Sequence, residues 1–502
     1  MNSILRTAVF VAAFGAALPG PCAQTAAGAD ADPLVGTWFG TITAGGRDLE
    51  VALHFTRDGD RYRATLDSIT QGAEGIPVAS AEFDGDRLEL DVSAIRASYS
   101  AIWQEGPPAQ LTGTWTQSGV DVDLDMTKRS AEEVEASKLK RPQEPKPPFP
   151  YAVEDGVRFG HDPASSVEDS FRADDGGEVT LAGTLTLPAG DGPHPAVVMI
   201  SGSGPQDRDE TVFRHKPFWI IADHLTRRGI AVLRYDDRGT HESTGSFKQA
   251  TSADFADDVR AAVRYLATRD EIDAARIGLI GHSEGGLIAP MVASGPDAER
   301  VAFAVLLAPP AVNIRDVIRH QSRLIAATES DVNREDVDVN DELLRAVFTA
   351  IETHADDATA RTAAIEAAAT SAWEALSPEG QASSGKGPDD LVARTGRLNT
   401  PWVRYLLDHD PTESLTAMRC PVLAMFGGKD LQVDPGQNLE PLRQAFGKSS
   451  VEPTITVLDG HNHLFQRTET GAPGEYVELE ETFSPQALDV LTTWLDKHAL
   501  GR

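Results

Sequence analysis

The chain has 502 residues, of which 41% are hydrophobic and 24% charged, as in an ordinary globular protein. This length exceeds that of most single hydrophobic cores, so we expect two or more domains. The 77 acidic residues outnumber the 45 basic ones and give a formal charge of -32. Because this charge repels phosphate backbones and anionic lipid, neither nucleic acid nor a membrane surface is an expected partner.

Residues 1–27 have the pattern of a secretory signal peptide. Arg6 supplies a positive charge, an apolar run extends from Ala8 to Leu18, and small residues suited to cleavage follow near residues 23–27. The apolar run is too short to span a bilayer as a helix. We therefore expect the mature protein to be exported, either to the periplasm or out of the cell.

Residues 33–130 contain short alternating segments separated by turn signals. Two examples run from Leu49 to Phe55 and from Arg87 to Val92. The pair Asp58-Gly59 lies between such segments, where a hairpin needs positive φ. This pattern predicts a small all-β barrel or sandwich that has no catalytic constellation of its own.

A proline-rich segment, residues 131–152, follows this region and favours an extended, fairly stiff linker. In residues 153–502, apolar strands alternate with helical segments, which indicates a mostly parallel sheet covered by helices. An insertion at about residues 313–415 has helical composition and is predicted to form a lid. Trp402, Tyr405 and the helices near Arg319 are candidates for substrate specificity, although the aromatic residues could equally well anchor the lid.

The strongest motif is Gly281-His-Ser-Glu-Gly285, which follows a buried strand and precedes a helix. In the Gly-x-Ser-x-Gly nucleophile elbow, a sharp turn exposes the serine hydroxyl. The following helix N-terminus offers free N–H groups to an oxyanion. Such a pattern also arises by chance in glycine-rich loops, where Ser283 would be an ordinary turn residue. The strand-turn-helix context predicts that Ser283 is the nucleophile.

A serine nucleophile of this fold needs an acid and then a histidine later in the chain. Asp430 follows an apolar strand and the residues Gly-Gly-Lys, in the loop where the acid belongs, while Asp434 is an alternative four residues later. After the next predicted strand come His461 and His463. The residues alone do not decide which of these two histidines is the base.

Two backbone N–H groups are predicted to form the oxyanion hole. One belongs to Glu284, directly after the nucleophile, and the other to a loop after an early strand. Ser201-Gly-Ser-Gly204 fits that loop, with Ser203 as the candidate donor. A phosphate-binding loop is the alternative, but the lysine and spacing of a P-loop are missing. We expect no metal and no other cofactor, because the two late histidines lack a third ligand cluster.

Five segments resemble those of a bacterial group of exported α/β-hydrolase carboxylesterases related to serine aminopeptidases and dienelactone hydrolases. The resemblance covers about residues 179–495. The segments are Ser201-Gly-Ser-Gly-Pro-Gln206, Tyr235-Asp-Asp-Arg-Gly239, Gly281-His-Ser-Glu-Gly-Gly286, Pro421-Val-Leu423 with Gly427-Gly-Lys-Asp-Leu-Gln-Val433, and Asn462-His-Leu-Phe-Gln466.

This resemblance implies the α/β-hydrolase fold for residues 153–502 and a lipocalin-like accessory domain for residues 33–130. It also implies that His463 rather than His461 is the base. One departure is His241, where such proteins commonly have glycine. His241 could face the active-site entrance, but we favour a turn that tolerates positive φ.

Together these features predict a serine hydrolase that cleaves small-molecule, short-chain carboxylic esters through Ser283, His463 and Asp430, with Glu284 and Ser203 at the oxyanion. A serine aminopeptidase or amidase with the same three residues is the first alternative. The second is a binding protein whose β domain holds the ligand and whose hydrolase site is vestigial. The oligomeric state is left open.

Overall fold

A computed structural model describes residues 32–44, 47–59, 61–69, 73–117, 120–130, 133, 140–160, 179–329, 332–385 and 387–502. The predicted signal peptide and part of the predicted linker lie outside the described residues. The described residues form two compact units, the first with those up to 140 and residues 212–214, and the second with those of 141–211 and 215–502. Within these ranges no helix is long and apolar enough to cross a membrane.

The first unit is a nine-stranded antiparallel sheet in the order β4-β3-β2-β1-β9-β8-β7-β6-β5. Its strands are β1 Gly36–Ala44, β2 Arg47–Asp58, β3 Arg61–Ser68, β4 Ala73–Pro77, β5 Ser80–Phe83, β6 Arg87–Val92, β7 Ala97–Gln104, β8 Gln110–Gln117 and β9 Val120–Arg129.

The strands of this sheet have one apolar face, and the sheet curls so that this face is buried inside. In β6, Leu88, Leu90 and Val92 are buried while the residues between them are exposed. The curl brings β5 back towards β3, where the rings of Phe83 and Tyr62 meet edge to face at 6.0 Å. The prediction of an all-β, barrel-like region is confirmed.

The second unit contains an eight-stranded mixed sheet in the order β10-β11-β13-β12-β14-β15-β16-β17. Strands β12 to β17 pair in parallel, and β10 and β11 are antiparallel to their neighbours. The strands are β10 Ala152–Gly160, β11 Thr180–Leu187, β12 His194–Ile200, β13 Ala231–Tyr235, β14 Ile272–His282, β15 Phe303–Leu307, β16 Val422–Gly427 and β17 Thr454–Leu458. This is the predicted α/β-hydrolase fold.

Helices connect the parallel strands, and a last helix follows β17. They are α1 Pro217–Thr226, α2 Ser252–Ala267, α3 Glu284–Ala293, α4 Ile314–Ala327, α5 Arg334–Thr353, α6 Ala358–Ala375, α7 Pro378–Ser384, α8 Pro388–Thr395, α9 Pro401–Asp408, α10 Pro411–Ala417, α11 Pro435–Phe446 and α12 Pro485–His498. The described residues between β15 and β16 form α4 to α10, in agreement with the predicted helical insertion.

Strand β14 leads to Ser283 and packs tightly against β15. Gly278 of β14 lies beneath the ring of Phe303, where a Cβ atom on Gly278 would come within 2.0 Å of the ring. The ring of Phe303 therefore fills the space that a side chain at position 278 would need.

We expect Gly278→Ala to lower the free energy of unfolding by about 1–3 kcal/mol, because the fully buried Phe303 has to move. Gly396→Ala is the control, since Gly396 has φ −58 and a Cβ atom there would meet no heavy atom within 4 Å. That substitution should leave stability unchanged or raise it by up to about 1 kcal/mol. Thermal unfolding followed by circular dichroism compares the two variants, and equal melting temperatures would contradict the expected crowding.

Candidate active site

Ser283 lies at the sharp turn between β14 and α3. Its backbone has φ 53 and ψ −114, a conformation that non-glycine residues seldom adopt. The Ser283 N–H donates to the carbonyl oxygen of Leu307 at 2.8 Å, and Gly286 N–H donates to the carbonyl oxygen of Ser283 at 2.9 Å. Its side chain is half-buried, whereas its neighbours in the turn are buried. The serine hydroxyl is thus presented at the end of the strand.

The two glycines of the motif permit this turn. A Cβ atom on Gly281 would lie 2.0 Å from the carbonyl oxygen of Gly285, and one on Gly285 would lie 2.1 Å from the carbonyl oxygen of Ile200. The start of α3 therefore rests directly against the end of β12.

Asp430 and His463 lie together after the ends of β16 and β17. Asp430 Oδ2 accepts a hydrogen bond from His463 Nδ1 at 2.7 Å, and both side chains are buried. Asp430 Oδ1 accepts from the backbone N–H groups of Gln432 and Val433. With Nδ1 bonded to the carboxylate, the other ring nitrogen of His463 is left for proton transfer. No hydrogen bond joins Ser283 Oγ to His463 among the described side chains, and such bonds often tighten only when substrate binds.

The two alternatives from the sequence have other partners. His461 binds the backbone carbonyl oxygen of Asp459 through Nδ1 and the Ser484 hydroxyl through Nε2. Asp434 is the N-cap residue of α11, and its Oδ2 lies 2.8 Å from Nε2 of His320 on α4. Neither of them contacts the Asp430 and His463 pair through a hydrogen bond in the described structure.

The predicted oxyanion loop, residues 201–206, runs beside Ser283. A Cβ atom on Gly202 would lie 3.3 Å from Cβ of Ser283. Within the described residues, the backbone N–H groups of Ser203 and Glu284 donate to no protein acceptor. They remain available to a developing negative charge, as oxyanion donors must be.

Asp237 holds the oxyanion loop in place through two hydrogen bonds. It accepts hydrogen bonds from the Ser201 hydroxyl and from the backbone N–H of Gln206. Burial raises the pKa of the Asp237 carboxyl well above its usual range, and these two donors oppose that effect. Arg238, the next residue, pairs instead with Asp258 of α2.

Glu210 and His282 form a contact that sequence reasoning missed. His282 Nδ1 lies 2.9 Å from Glu210 Oε1. Burial alone would lower the pKa of His282, but the nearby Glu210 carboxylate raises it overall. No local pattern marks Glu210, because it lies 72 positions from His282 in the chain.

The carboxyl group of Glu284 anchors the lid to the elbow. Its Oε1 accepts from the Ser252 hydroxyl at 2.6 Å and from the Trp402 indole N–H at 2.7 Å. Burial raises the pKa of Glu284, while both hydrogen bonds oppose the shift. Trp402 of α9 therefore ties the helical insertion to the residue that follows Ser283.

The other candidates near the lid have structural contacts. Arg319 makes two 2.8 Å hydrogen bonds to Asp341, which joins α4 to α5. Tyr405 stacks on the ring of His409. His241 is exposed and has φ 46, so the prediction that it occupies a turn with positive φ is confirmed.

The model of the family described as X-Pro dipeptidyl-peptidase (S15 family) matches residues 175–448, more than half of the 502-residue chain. The chain belongs to this family. The matched stretch includes Ser283 and Asp430 but ends before His463.

This S15-family chain is also similar to Esterase EstD of Thermotoga maritima, with 28% identity over 322 residues. The match covers 63% of this chain and 66% of the esterase, just under two thirds of that protein. The predicted relationship to α/β-hydrolase esterases is thereby confirmed.

Two solved structures are similar to the S15-family chain. The α/β-hydrolase GrgF from Penicillium sp. sh18 has 16% identity and a TM-score of 0.40, covering 70% of this chain and 100% of that one. An esterase from Pyrococcus furiosus has 15% identity and a TM-score of 0.39, covering 70% and 91%.

The link between lid and elbow leads to a stability prediction. We expect Trp402→Phe to lower the free energy of unfolding by about 1–3 kcal/mol, because Glu284 loses a buried hydrogen-bond donor. The matched control is Trp373→Phe in α6, since the indole N–H of Trp373 has no protein acceptor in the described structure. Thermal unfolding of both variants measures this difference. An equal loss of stability in the two variants would contradict the role assigned to the hydrogen bond between Trp402 and Glu284.

Proposed function

We propose that this chain is a serine hydrolase that cleaves carboxylic esters through an acyl-enzyme. The observation that carries the proposal is the buried 2.7 Å hydrogen bond between Asp430 and His463, which follow β16 and β17, the second and third strands along the sheet from β14. Free backbone N–H groups on Glu284 and Ser203 add the donors that an oxyanion needs.

In the proposed reaction, Ser283 Oγ attacks the ester carbonyl carbon while His463 Nε2 takes the hydroxyl proton. Asp430 holds the ring and stabilises the imidazolium that forms. The Glu284 and Ser203 N–H groups donate to the oxyanion. Collapse of the tetrahedral intermediate breaks the bond to the leaving alcohol, which receives the proton from His463. Water then attacks the acyl-enzyme by the same steps and restores Ser283.

Short-chain esters are the proposed substrates. The similarity to Esterase EstD supports an ester rather than another acyl compound. We also propose that the protein works after export, on the basis of the pattern in residues 1–27. The second candidate is hydrolysis of peptide bonds or other amides, which the match to a family named for X-Pro dipeptidyl-peptidase favours. Both reactions use the same catalytic residues and differ in the bond that is cleaved.

The first test compares p-nitrophenyl acetate, butyrate and octanoate with alanine p-nitroanilide and an X-Pro anilide. We expect turnover of acetate and butyrate, weaker turnover of octanoate, and loss of all activity in Ser283→Ala. Cleavage of an anilide without ester turnover would replace the ester proposal by the amidase candidate. A folded protein that cleaves none of them would favour the binding-protein alternative.

A matched pair of variants tests the acid. Asp430→Asn should lower kcat by about 10⁴-fold, because an amide holds the histidine in the wrong tautomer. Asp434→Asn is the control: its carboxylate contacts His320 of the lid, so we expect kcat within about threefold of the wild type. Steady-state kinetics with the butyrate ester measure both. A large loss in Asp434→Asn with activity retained in Asp430→Asn would reverse the assignment.

A further inference from the structure

One buried carboxylate, that of Glu210, joins three parts of the site that lie far apart in the sequence. Its Oε1 accepts hydrogen bonds from the backbone N–H of Gly202 at 2.7 Å and from Nδ1 of His282 at 2.9 Å. Nε2 of His282 lies 3.0 Å from the backbone carbonyl oxygen of His463. The oxyanion loop, the nucleophile elbow and the loop that carries the base therefore meet at the Glu210 and His282 pair.

The acceptors on both sides determine the protonation of His282. A carbonyl oxygen can only accept, so Nε2 of His282 carries a proton. Glu210 Oε1 accepts from Gly202, and as a carboxylate oxygen it can only accept from His282 as well, so Nδ1 carries a proton too. A neutral ring would satisfy only one of the two acceptors. The arrangement is that of an imidazolium paired with a carboxylate. Both residues are buried, with His282 6% exposed and Glu210 2% exposed.

Several charged or titratable groups face this pair. The ring of His282 lies 4.7 Å from the ring of His463, centroid to centroid. The Asp430 carboxylate, which bonds to His463, also raises the pKa of His282 by its negative charge. The positive ring of His282 is thus held between Glu210 on one side and the catalytic pair on the other.

The backbone conformation of Glu210 is a second indication that its carboxylate has to point at Gly202 and His282. Glu210 has φ 52, in the left-handed region that glutamate seldom adopts. Glu210 closes a turn, because its N–H donates to the carbonyl oxygen of Asp207. This unfavourable conformation aims the carboxylate inward, at Gly202 and His282, and the hydrogen bonds formed there offset its cost.

We propose that Glu210 is a positioning residue, which through the protonated His282 fixes the oxyanion loop and the carbonyl of His463 relative to Ser283. Glu210 touches neither substrate nor a reacting atom. It acts by keeping the oxyanion donors, the nucleophile and the base at fixed separations. The inference rests on the proposed function only in taking Ser283 as the nucleophile, and it holds for ester and amide substrates alike.

The first experiment observes the ring of His282 directly. Nitrogen NMR of protein with isotope-labelled histidine, with the His282 signals assigned by loss in His282→Gln, should show both ring nitrogens protonated in the wild type near neutral pH. In Glu210→Gln one of the two nitrogens should lose its proton. A neutral His282 ring in the wild-type protein would overturn the proposal, and this measurement does not require any variant of Glu210 to fold.

The second experiment measures the reactivity of Ser283 without assuming a substrate. A fluorophosphonate reagent labels an activated serine with loss of fluoride, and the labelling rate should fall about tenfold to a hundredfold in Glu210→Gln. With the butyrate ester, kcat should fall by the same factor while KM stays within about twofold. Labelling of Glu210→Gln at the wild-type rate would overturn the proposal.

The control is Asp297→Asn, which neutralises another buried carboxylate, one that pairs with Arg264. It should label at the wild-type rate, and an equal loss there would reduce the Glu210 effect to a general loss of stability and overturn the proposal. If the wild type shows a protonated His282 and labels rapidly but cleaves no ester, the proposed ester function fails while the role of Glu210 is supported. The two failures are therefore distinguishable.

Discussion

The candidate active site depends on how closely the helix after Ser283 approaches the end of β12. A Cβ atom on Gly285 would lie only 2.1 Å from the carbonyl oxygen of Ile200, so no larger residue fits there. This contact puts the predicted oxyanion loop, which begins directly after Ile200, beside Ser283. It also holds Ser283 in a backbone conformation that costs free energy and that the packing around it must maintain. The parallel sheet supplies that packing, since β14 lies between β12 and β15.

Around this turn, the protein places buried carboxyl groups, each with a specific partner. The four are Asp430 with His463, Glu210 with His282, Asp237 with Ser201 and Glu284 with Trp402. A buried polar group that lacks a partner costs about 1–3 kcal/mol, so each contact resists rearrangement. The result is a site whose oxyanion loop, base and lid are all tied to the two residues on either side of the serine. Ser283 itself is left partly exposed to react.

Local patterns in the sequence predict much of this arrangement. Alternation of apolar residues indicates the strands of the first unit, such as Arg87–Val92, because one face of that sheet is buried. Gly-x-Ser-x-Gly between a strand and a helix indicates Ser283, because the sharp turn requires small neighbours on both sides. The loop after β16 indicates Asp430, because the carboxyl ends of parallel strands lie at the same edge of the sheet.

The sequence by itself therefore determined the type of fold and predicted the nucleophile and the region of the acid and base, since each of these depends on residues close together in the chain. The residues alone left His461 and His463 open, and the family resemblance favoured His463. The tertiary structure shows that His463 pairs with Asp430, because the two histidines share one loop and make different hydrogen bonds. It alone brought Glu210 to His282 and Trp402 to Glu284, across 72 and 118 positions. Contacts over such distances arise when the whole sheet and its lid are assembled, and no local pattern of residues encodes them.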